Sequence, residues 1–410
     1  MIRAHETAAL SARDRWLLGA SGVAVTLLIL IVVCRPWDLR DAFMVGAPIG
    51  RDFGNFWIAG LLAIQGKLAL LIDFEGYNEL LFQFFHYNPR GFVFSYPPHI
   101  LLFLAPFGAL PHPLSVVLWS AGNLWLIARA ARLLSDEPGL PWLAMLSPAA
   151  LIMVAIGHFG GALAFLAIFI LTRASARPIL AGCCLALMTV KPQFAASMAL
   201  FLLLVGQWRV LVTGAVATAA LVGLSVVAFG TEPWIGFFEW TLPFHAQLLS
   251  HFQVGAFRTA MSVYTAARME GLGDGVANLL HFAVTVQVFA AAVLLFVRRG
   301  PSPCTVTLAL FAVLLILPYF QQYDLAIVAP ALTVALFASS SGERPFLSAA
   351  PASVLWLAPP FTIPAGHFAL PIVPVIVTIV VVVALVGQCW QPRMRRDAAG
   401  LDPGAAGPSS

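Results

Sequence analysis

Charge is what this sequence has least of. Asp, Glu, Lys and Arg together make up 10% of 410 residues, and lysine occurs only twice, at Lys67 and Lys191. With 60% hydrophobic residues and a mean hydropathy of +0.92, the chain is neither a soluble globular enzyme nor a disordered segment. No long basic run is present, so no nucleic-acid partner is expected. There is no Asp-x-Asp sequence, which argues against a metal-held nucleotide-diphosphate site, and no phosphate-binding glycine loop of the Walker or dinucleotide type. No cofactor is expected and a divalent metal is optional. The five cysteines (Cys34, Cys183, Cys184, Cys304 and Cys389) show no metal-ligand spacing and lie in or beside apolar runs. Adjacent Cys183 and Cys184 read as small core residues rather than a redox pair.

What the chain has instead is apolar runs, repeated almost end to end. A bilayer core about 30 Å thick needs roughly 20 apolar residues per helical span, and a spanning backbone must satisfy its own hydrogen bonds, so helices are the default. The expected fold is therefore an all-α, multi-pass membrane protein. Arg13 and Arg15 precede "WLLGASGVAVTLLILIVVC", which resembles a signal peptide, but no small-residue cleavage site follows it. This segment reads as a retained first helix.

Basic residues set the orientation. Arg13 and Arg15, "RASARP", Arg209, "RRG", "GER" and "RMRR" punctuate the spans and are placed in the cytoplasm by the positive-inside rule. The predicted spans are 16–34, 95–111, 114–134, 158–173, 178–190, 194–207, 210–229, 276–297, 303–318, 324–338, 345–360 and 368–390, about twelve in all. Both termini then face the cytoplasm, and most acids gather outside. Residues 135–160 enter this scheme only as a short or re-entrant excursion, which predicts a cavity near Gly157–Gly161. The expected organisation is a cytoplasmic N-terminus (1–15), a catalytic membrane module (16–275), C-terminal membrane helices (276–390) and a Gly/Pro/Ser-rich disordered tail (391–410). No clear repeat relates the halves.

Two outer loops are long, 35–94 and 230–275, and long loops in compact proteins usually carry function. The first contains "FWIAGLLAIQGKLALLIDFEGYNELLFQFFHY", whose helical periodicity predicts two amphipathic helices lying in the membrane interface. Polar residues collect at the outer ends of the spans. They are Arg51, Asp52 and Trp57 in "GRDFGNFWIAG", Arg90, Tyr96 in "FSYPPHI", His158 in "GHFGG", Lys191 and Gln193 in "VKPQF", Arg258, and Gln322, Tyr323 and Asp324 in "PYFQQYD". Each also has an ordinary reading. Lys and Arg at helix ends snorkel to the headgroups, Lys191–Pro192 is a helix stop and restart, and tyrosines form interfacial belts. His158 fits a core histidine. Asp52 resists such a reading, because an acid directly before an aromatic-rich helix sits where desolvation is costly.

The order and spacing of "RDFGNFWIAGLLAIQGKLALLIDF", "FSYPPHILLFLAPFGALP", "GHFGGALAFLAIF", "AGCCLALMTVKPQFAASMALFLLLVGQWRVL", "FGTEPWIGFF" and "PYFQQYDLAIVAP" resemble glycosyltransferase family 87 over roughly residues 45–335. These are polyprenol-phosphate-mannose-dependent enzymes of the GT-C type. The chain has Gly157–His158 where the family more often has Gly-Gln. The resemblance implies a catalytic acid early in the first outer loop, which maps to Asp52. It also implies a polyprenyl-phosphate-linked sugar donor arriving through the membrane lipids, and a lipid or envelope-glycan acceptor. On that view Asp52 is the general base, Lys191 and Arg258 are the first candidates to hold the donor phosphate, with Arg51 and Arg90 behind them, and Trp57 and Tyr96 pack against the sugar. Compact loops and Arg/Ala/Leu-rich usage point to a bacterial inner membrane, with the site facing outward. The competing readings are a transporter or flippase, a non-enzymatic envelope scaffold, and a ligase or polymerase of lipid-linked glycans. Acids confined to loops and span ends weigh against transport. Tolerance of Asp52 substitution is what a scaffold predicts, and an oligosaccharide donor what a ligase predicts.

Overall fold

The computed structural model describes residues 12–34, 50–85, 93–250, 259–338, 349–367 and 371–389. The described residues are helical throughout, with one isolated β-bridge between Ala260 and Gln321. In chain order the helices are α1 (Ala12–Cys34), α2 (Arg51–Gln65), α3 (Phe74–Phe85), α4 (Leu101–Gly108), α5 (His112–Arg132), α6 (Gly139–Met145), α7 (Pro148–Ile156), α8 (Gly160–Arg173), α9 (Pro178–Met188) and α10 (Pro192–Leu204). They continue with α11 (Trp208–Phe229), α12 (Glu232–Gly236), α13 (Leu242–Ser250), α14 (Val263–Met269), α15 (Asp274–Arg299), α16 (Pro303–Leu315), α17 (Ala329–Phe337), α18 (Ala349–His367) and α19 (Ile372–Cys389). Tight 3-10 turns precede α3, α4 and α17. Proline at the first helical position starts α7, α9, α10 and α16, where its missing N–H costs no hydrogen bond.

Among the described residues three helices, α5, α11 and α15, are long and apolar enough to cross a membrane, and a fourth passes if α6 and α7, bent by 46°, count as one span. Several shorter apolar helices accompany them, including α8, α9, α10 and α16. Large apolar side chains left exposed on α11 and α15, such as Val227, Leu279 and Phe282, suit lipid rather than water.

Contacts sort the helix ends into two groups. Arg15 donates to the carbonyls of Phe337 and Ala338, both at 3.1 Å, and a Cβ on Gly139 meets Trp16, so the starts of α1 and α6 and the end of α17 lie together. At the opposite end Gly50 N–H donates to Ala155 O at 2.7 Å, joining the start of α2 to the end of α7.

This sorting bears on the predicted topology. The second predicted span, 95–111, is a 3-10 turn followed by an α4 of eight residues, about 12 Å long and, like α9 and α17, shorter than a bilayer core. It lies along α2. A Cβ on Gly60 falls 2.3 Å from Leu104 O, and Trp57 Nε1 donates to Leu110 O at 2.9 Å. α5 therefore starts beside α2 and runs the same way as α8, with Trp119 Nε1 bonded to Gly157 O at 3.1 Å and, one turn on, Ala162 N–H bonded to Asn123 Oδ1 at 3.1 Å. Between them α6 and α7 lead the chain from the end of α5 back to the start of α8, and this pair, bent by 46°, fits either a broken span or the expected re-entrant excursion.

One further expectation changes. α2 is not an amphipathic surface helix, because ten of its 15 residues are buried, from Asp52 to Leu62. Gly54 and Gly60 remove the side chains that keep helices apart. α3 is the amphipathic one, burying Tyr77 and Leu81 while exposing Phe74 and Phe84. At Gly157–Gly161, where a cavity is expected, the glycines pack closely against their neighbours. Cβ atoms there collide with Phe53 Cβ at 2.7 Å (Gly157), Ala326 Cβ at 2.9 Å (Gly160) and Asn123 O at 2.2 Å (Gly161). These glycines serve close approach of α2, α5 and the 322–327 turn.

Candidate active site

The end of the bundle that holds Gly50 and Ala155 gathers the polar residues. Gly50, at φ 77°, turns the chain into α2 and sets Arg51 and Asp52 in its first turn, where the helix dipole favours an acid. Asp52 is 8% exposed, and its Oδ1 accepts from Arg51 Nε at 3.0 Å. Among the described residues no protein group donates to Asp52 Oδ2.

α7 ends at Gly157, again with positive φ, and the chain breaks before α8 restarts at Gly160. The break presents His158, 1% exposed, with its ring stacked between Phe159 and Tyr323, each at a centroid distance of 4.4 Å. His158 Nε2 and Tyr96 Oη are 3.2 Å apart, and His158 Nδ1 has no hydrogen-bond partner among the described residues. Phe56, one turn along α2 from Asp52, packs edge-on against both Tyr96 (5.1 Å) and His158 (5.9 Å).

Behind this aromatic group lies a buried ion pair. Lys191 Nζ donates to Asp324 Oδ1 at 2.7 Å, with both side chains at most 6% exposed. The rings of Phe194, Tyr323 and Phe159 surround the ammonium at 5.0, 5.2 and 5.6 Å. Asp324 closes a capping box, its Oδ2 accepting from Gln321 N–H at 2.9 Å, which fixes the 3-10 turn Gln322–Ile327. The carboxylates of Asp52 and Asp324 both act electrostatically on the hydroxyls of Tyr96 and Tyr323, and the cations of Lys191 and Arg51 both act on the His158 ring. Two charge pairs thus flank one aromatic group.

Seven of the residues picked from sequence meet here: Arg51, Asp52, Tyr96, His158, Lys191, Tyr323 and Asp324. Trp57 points elsewhere, packed against Phe84 (5.2 Å) and His112 (5.4 Å) and tied to Leu110. Gln193 is half-buried in the first turn of α10. Gln322 faces α18, with Oε1 accepting from Thr362 Oγ1 at 2.8 Å. Arg90 and Arg258 lie outside the described residues. The sequence reading missed Phe159 and Phe194, which are adjacent to His158 and three residues after Lys191. It also missed His99, whose Nε2 meets Thr189 Oγ1 at 3.1 Å and whose ring stacks on Trp234 of α12 at 5.8 Å. A histidine in the apolar run "FSYPPHI" is a readable signal for such a contact. Among the described residues no group of three or more His, Cys, Asp or Glu side chains is placed to hold a metal ion.

Near the chain entry to this site, residues 259–262 are clipped to the Asp324 turn. Met261 N–H donates to Phe320 O at 2.8 Å, Gln322 N–H to Thr259 O at 3.1 Å, and Thr259 Oγ1 to Gln321 Oε1 at 2.8 Å.

The family model of glycosyltransferase family 87 matches residues 94–318, more than half of the chain. The chain belongs to that family and is a glycosyltransferase with membrane helices. No curated protein and no solved structure matches it.

Proposed function

We propose that this glycosyltransferase takes a hexose, mannose foremost, from a polyprenyl-phosphate donor and transfers it to a lipid or envelope-glycan acceptor. The observation that carries the reading is the meeting of Asp52, with one carboxylate oxygen unpartnered among the described residues, and Lys191 around the Tyr96–His158–Tyr323 group. Transfer is a single displacement with inversion at the anomeric carbon. The acceptor oxygen forms a bond to C1, the C1–O bond to the phosphate breaks, and the acceptor proton passes to Asp52. A positioned base of this kind contributes about 10²–10⁴-fold. The polyprenyl phosphate leaves as an anion, so cationic donors stabilise it better than an acid does.

The chain is read as twelve passes, with α6 and α7 replacing residues 95–111 as a crossing unit. This moves Arg129 and Arg132 to the end that holds Arg15, Arg173 and Arg177, which the positive-inside rule assigns to the cytoplasm. The site then opens to the outer side of a bacterial inner membrane, beside the first outer loop.

The test is transfer in lipid nanodiscs from a polyprenyl-phosphate-linked radiolabelled mannose, with a lipid extract as acceptor. Turnover that needs the lipid-linked sugar and is lost in Asp52→Asn is expected. Turnover from a free nucleotide sugar instead, or undiminished activity of Asp52→Asn, overturns the reading.

A further inference from the structure

Lys191 has three N–H donors and, among the described residues, one hydrogen-bond acceptor, Asp324 Oδ1; three aromatic rings lie around the ammonium with centroids 5.0–5.6 Å away. An aromatic face favours a cation but accepts hydrogen bonds poorly. Lys191 is 5% exposed, and the oxyanion position it holds is filled by Asp324. The pair is a poor candidate for a device that only stabilises the fold, since desolvating two charges offsets most of their attraction. Asp324, moreover, is not held by Lys191 alone. Its other oxygen accepts from Gln321 N–H, and it sits at the start of a helical turn. It has a place to stay when the ammonium is taken from it.

We propose that Asp324 is an internal counter-anion standing where the donor phosphate binds, so that the phosphate and the Asp324 carboxylate compete for the one Lys191 ammonium. This rests on the proposed function and names a positioning role within that site. The empty enzyme keeps its cation neutralised in the low-dielectric interior. Binding exchanges one oxyanion for another on Nζ, with no net creation of buried charge at the lysine. The capping bond from Gln321 N–H keeps Asp324 in the turn while the ammonium changes partner.

The test uses the full chain in lipid nanodiscs and two probes, a polyprenyl monophosphate and inorganic phosphate, with dissociation constants measured for wild type, Asp324→Asn, Lys191→Met and the double variant. Asp324→Asn is expected to bind the polyprenyl phosphate about fivefold or more tighter, the lower range of ordinary site coupling. In the Lys191→Met background the same change is expected to have no effect, because the competition needs the ammonium. Tightening for the lipid probe alone assigns a lipid headgroup, and tightening for both assigns the phosphate group itself; either supports the proposal. Folded Asp324→Asn with unchanged or weaker affinity overturns it, as does equal tightening in the Lys191→Met background. If Asp324→Asn does not fold, Lys191→Arg gives the answer. Its five-donor fork serves carboxylate and phosphate together, so tighter binding than wild type is expected, and equal or weaker binding overturns the proposal. Sugar transfer by the wild type in the same discs separates the two readings. If the wild type neither binds nor transfers, the function itself is wrong. If it does both without the Asp324 effect, only the competition is wrong.

Discussion

Tyr96 and His158, 62 residues apart in sequence, meet at 3.2 Å between Oη and Nε2 and so tie the loop before α4 to the break between α7 and α8. The break exists because Gly157 adopts positive φ and ends α7, and the loop is held there by Phe56 and Phe159 packing around Tyr96. Tyr96→Phe keeps that packing and removes the hydroxyl, leaving His158 without a protein partner on either nitrogen. A neutral hydrogen bond is worth about 0.5–1.5 kcal/mol net, so a two- to tenfold fall in turnover is expected, with a small drop in thermal midpoint. Turnover equal to wild type removes His158 orientation from the mechanism.

Gly157 is where site and fold depend on the same atom. A Cβ there lies 2.7 Å from Phe53 Cβ and 2.9 Å from Gly50 Cα, on a residue whose φ is 82°. Gly157→Ala adds a left-handed backbone penalty of about 1–2 kcal/mol and an overpacking cost of typically 1–3 kcal/mol. Loss of folded yield, or a clear fall in thermal midpoint in detergent, is expected. Gly122, which has nothing within 4 Å of its added Cβ, is the control: Gly122→Ala should be neutral or slightly stabilising.

The apolar runs named the helices well, because burial in lipid writes itself into every residue of a span. Where the structure complicates the reading of topology, the cause is specific. Residues 95–111 are apolar enough to span, yet Gly60 and Gly108 let one face of α4 lie against α2 within backbone contact, while Phe103 on the same helix stays exposed. Hydropathy reports burial without saying in what. The same limit applies to the site. Asp52 was legible from its place before an aromatic helix, and Lys191 from being a lone lysine between apolar helices. Their partners were not. Asp324 reaches Lys191 across 133 residues, and nothing local in "PYFQQYD" beyond the Gln321–Asp324 capping spacing marks the contact. Trp57 shows the converse: an aromatic four residues past a phenylalanine in a polar stretch looked like a sugar platform, and the fold spends it on Leu110.

The proposed topology is testable by labelling single cysteines introduced into a cysteine-free chain. Ala109→Cys and Trp240→Cys, both exposed, are expected to react from one side of the membrane, and Asp136→Cys and Gly400→Cys from the other. If Ala109→Cys is reached only from the side that labels Gly400→Cys, then 95–111 crosses after all and α5 runs opposite to α8.

Asp52 carries the most weight in the proposed chemistry. Its carboxylate is nearly buried, one oxygen held by Arg51 at 3.0 Å and the other without a protein donor among the described residues, which is the arrangement a proton acceptor needs: fixed on one side, available on the other. Asp52→Asn keeps size and polarity but cannot take the acceptor's proton, so transfer should fall by about 10²–10⁴-fold. The protein should stay folded and still bind a polyprenyl phosphate, because no phosphate contact is assigned to this side chain. Loss through misfolding would lower thermal stability and donor binding together. Asp73 is the surface control, exposed, with its side chain accepting from Gly76 N–H at 3.1 Å, so Asp73→Asn should keep near-normal turnover. Asp324→Asn is the informative comparison. Near-normal turnover of Asp52→Asn beside a dead Asp324→Asn would move the base to Asp324, across the Tyr323 and His158 rings. Full activity in all three variants would remove a carboxylate base from the reaction altogether.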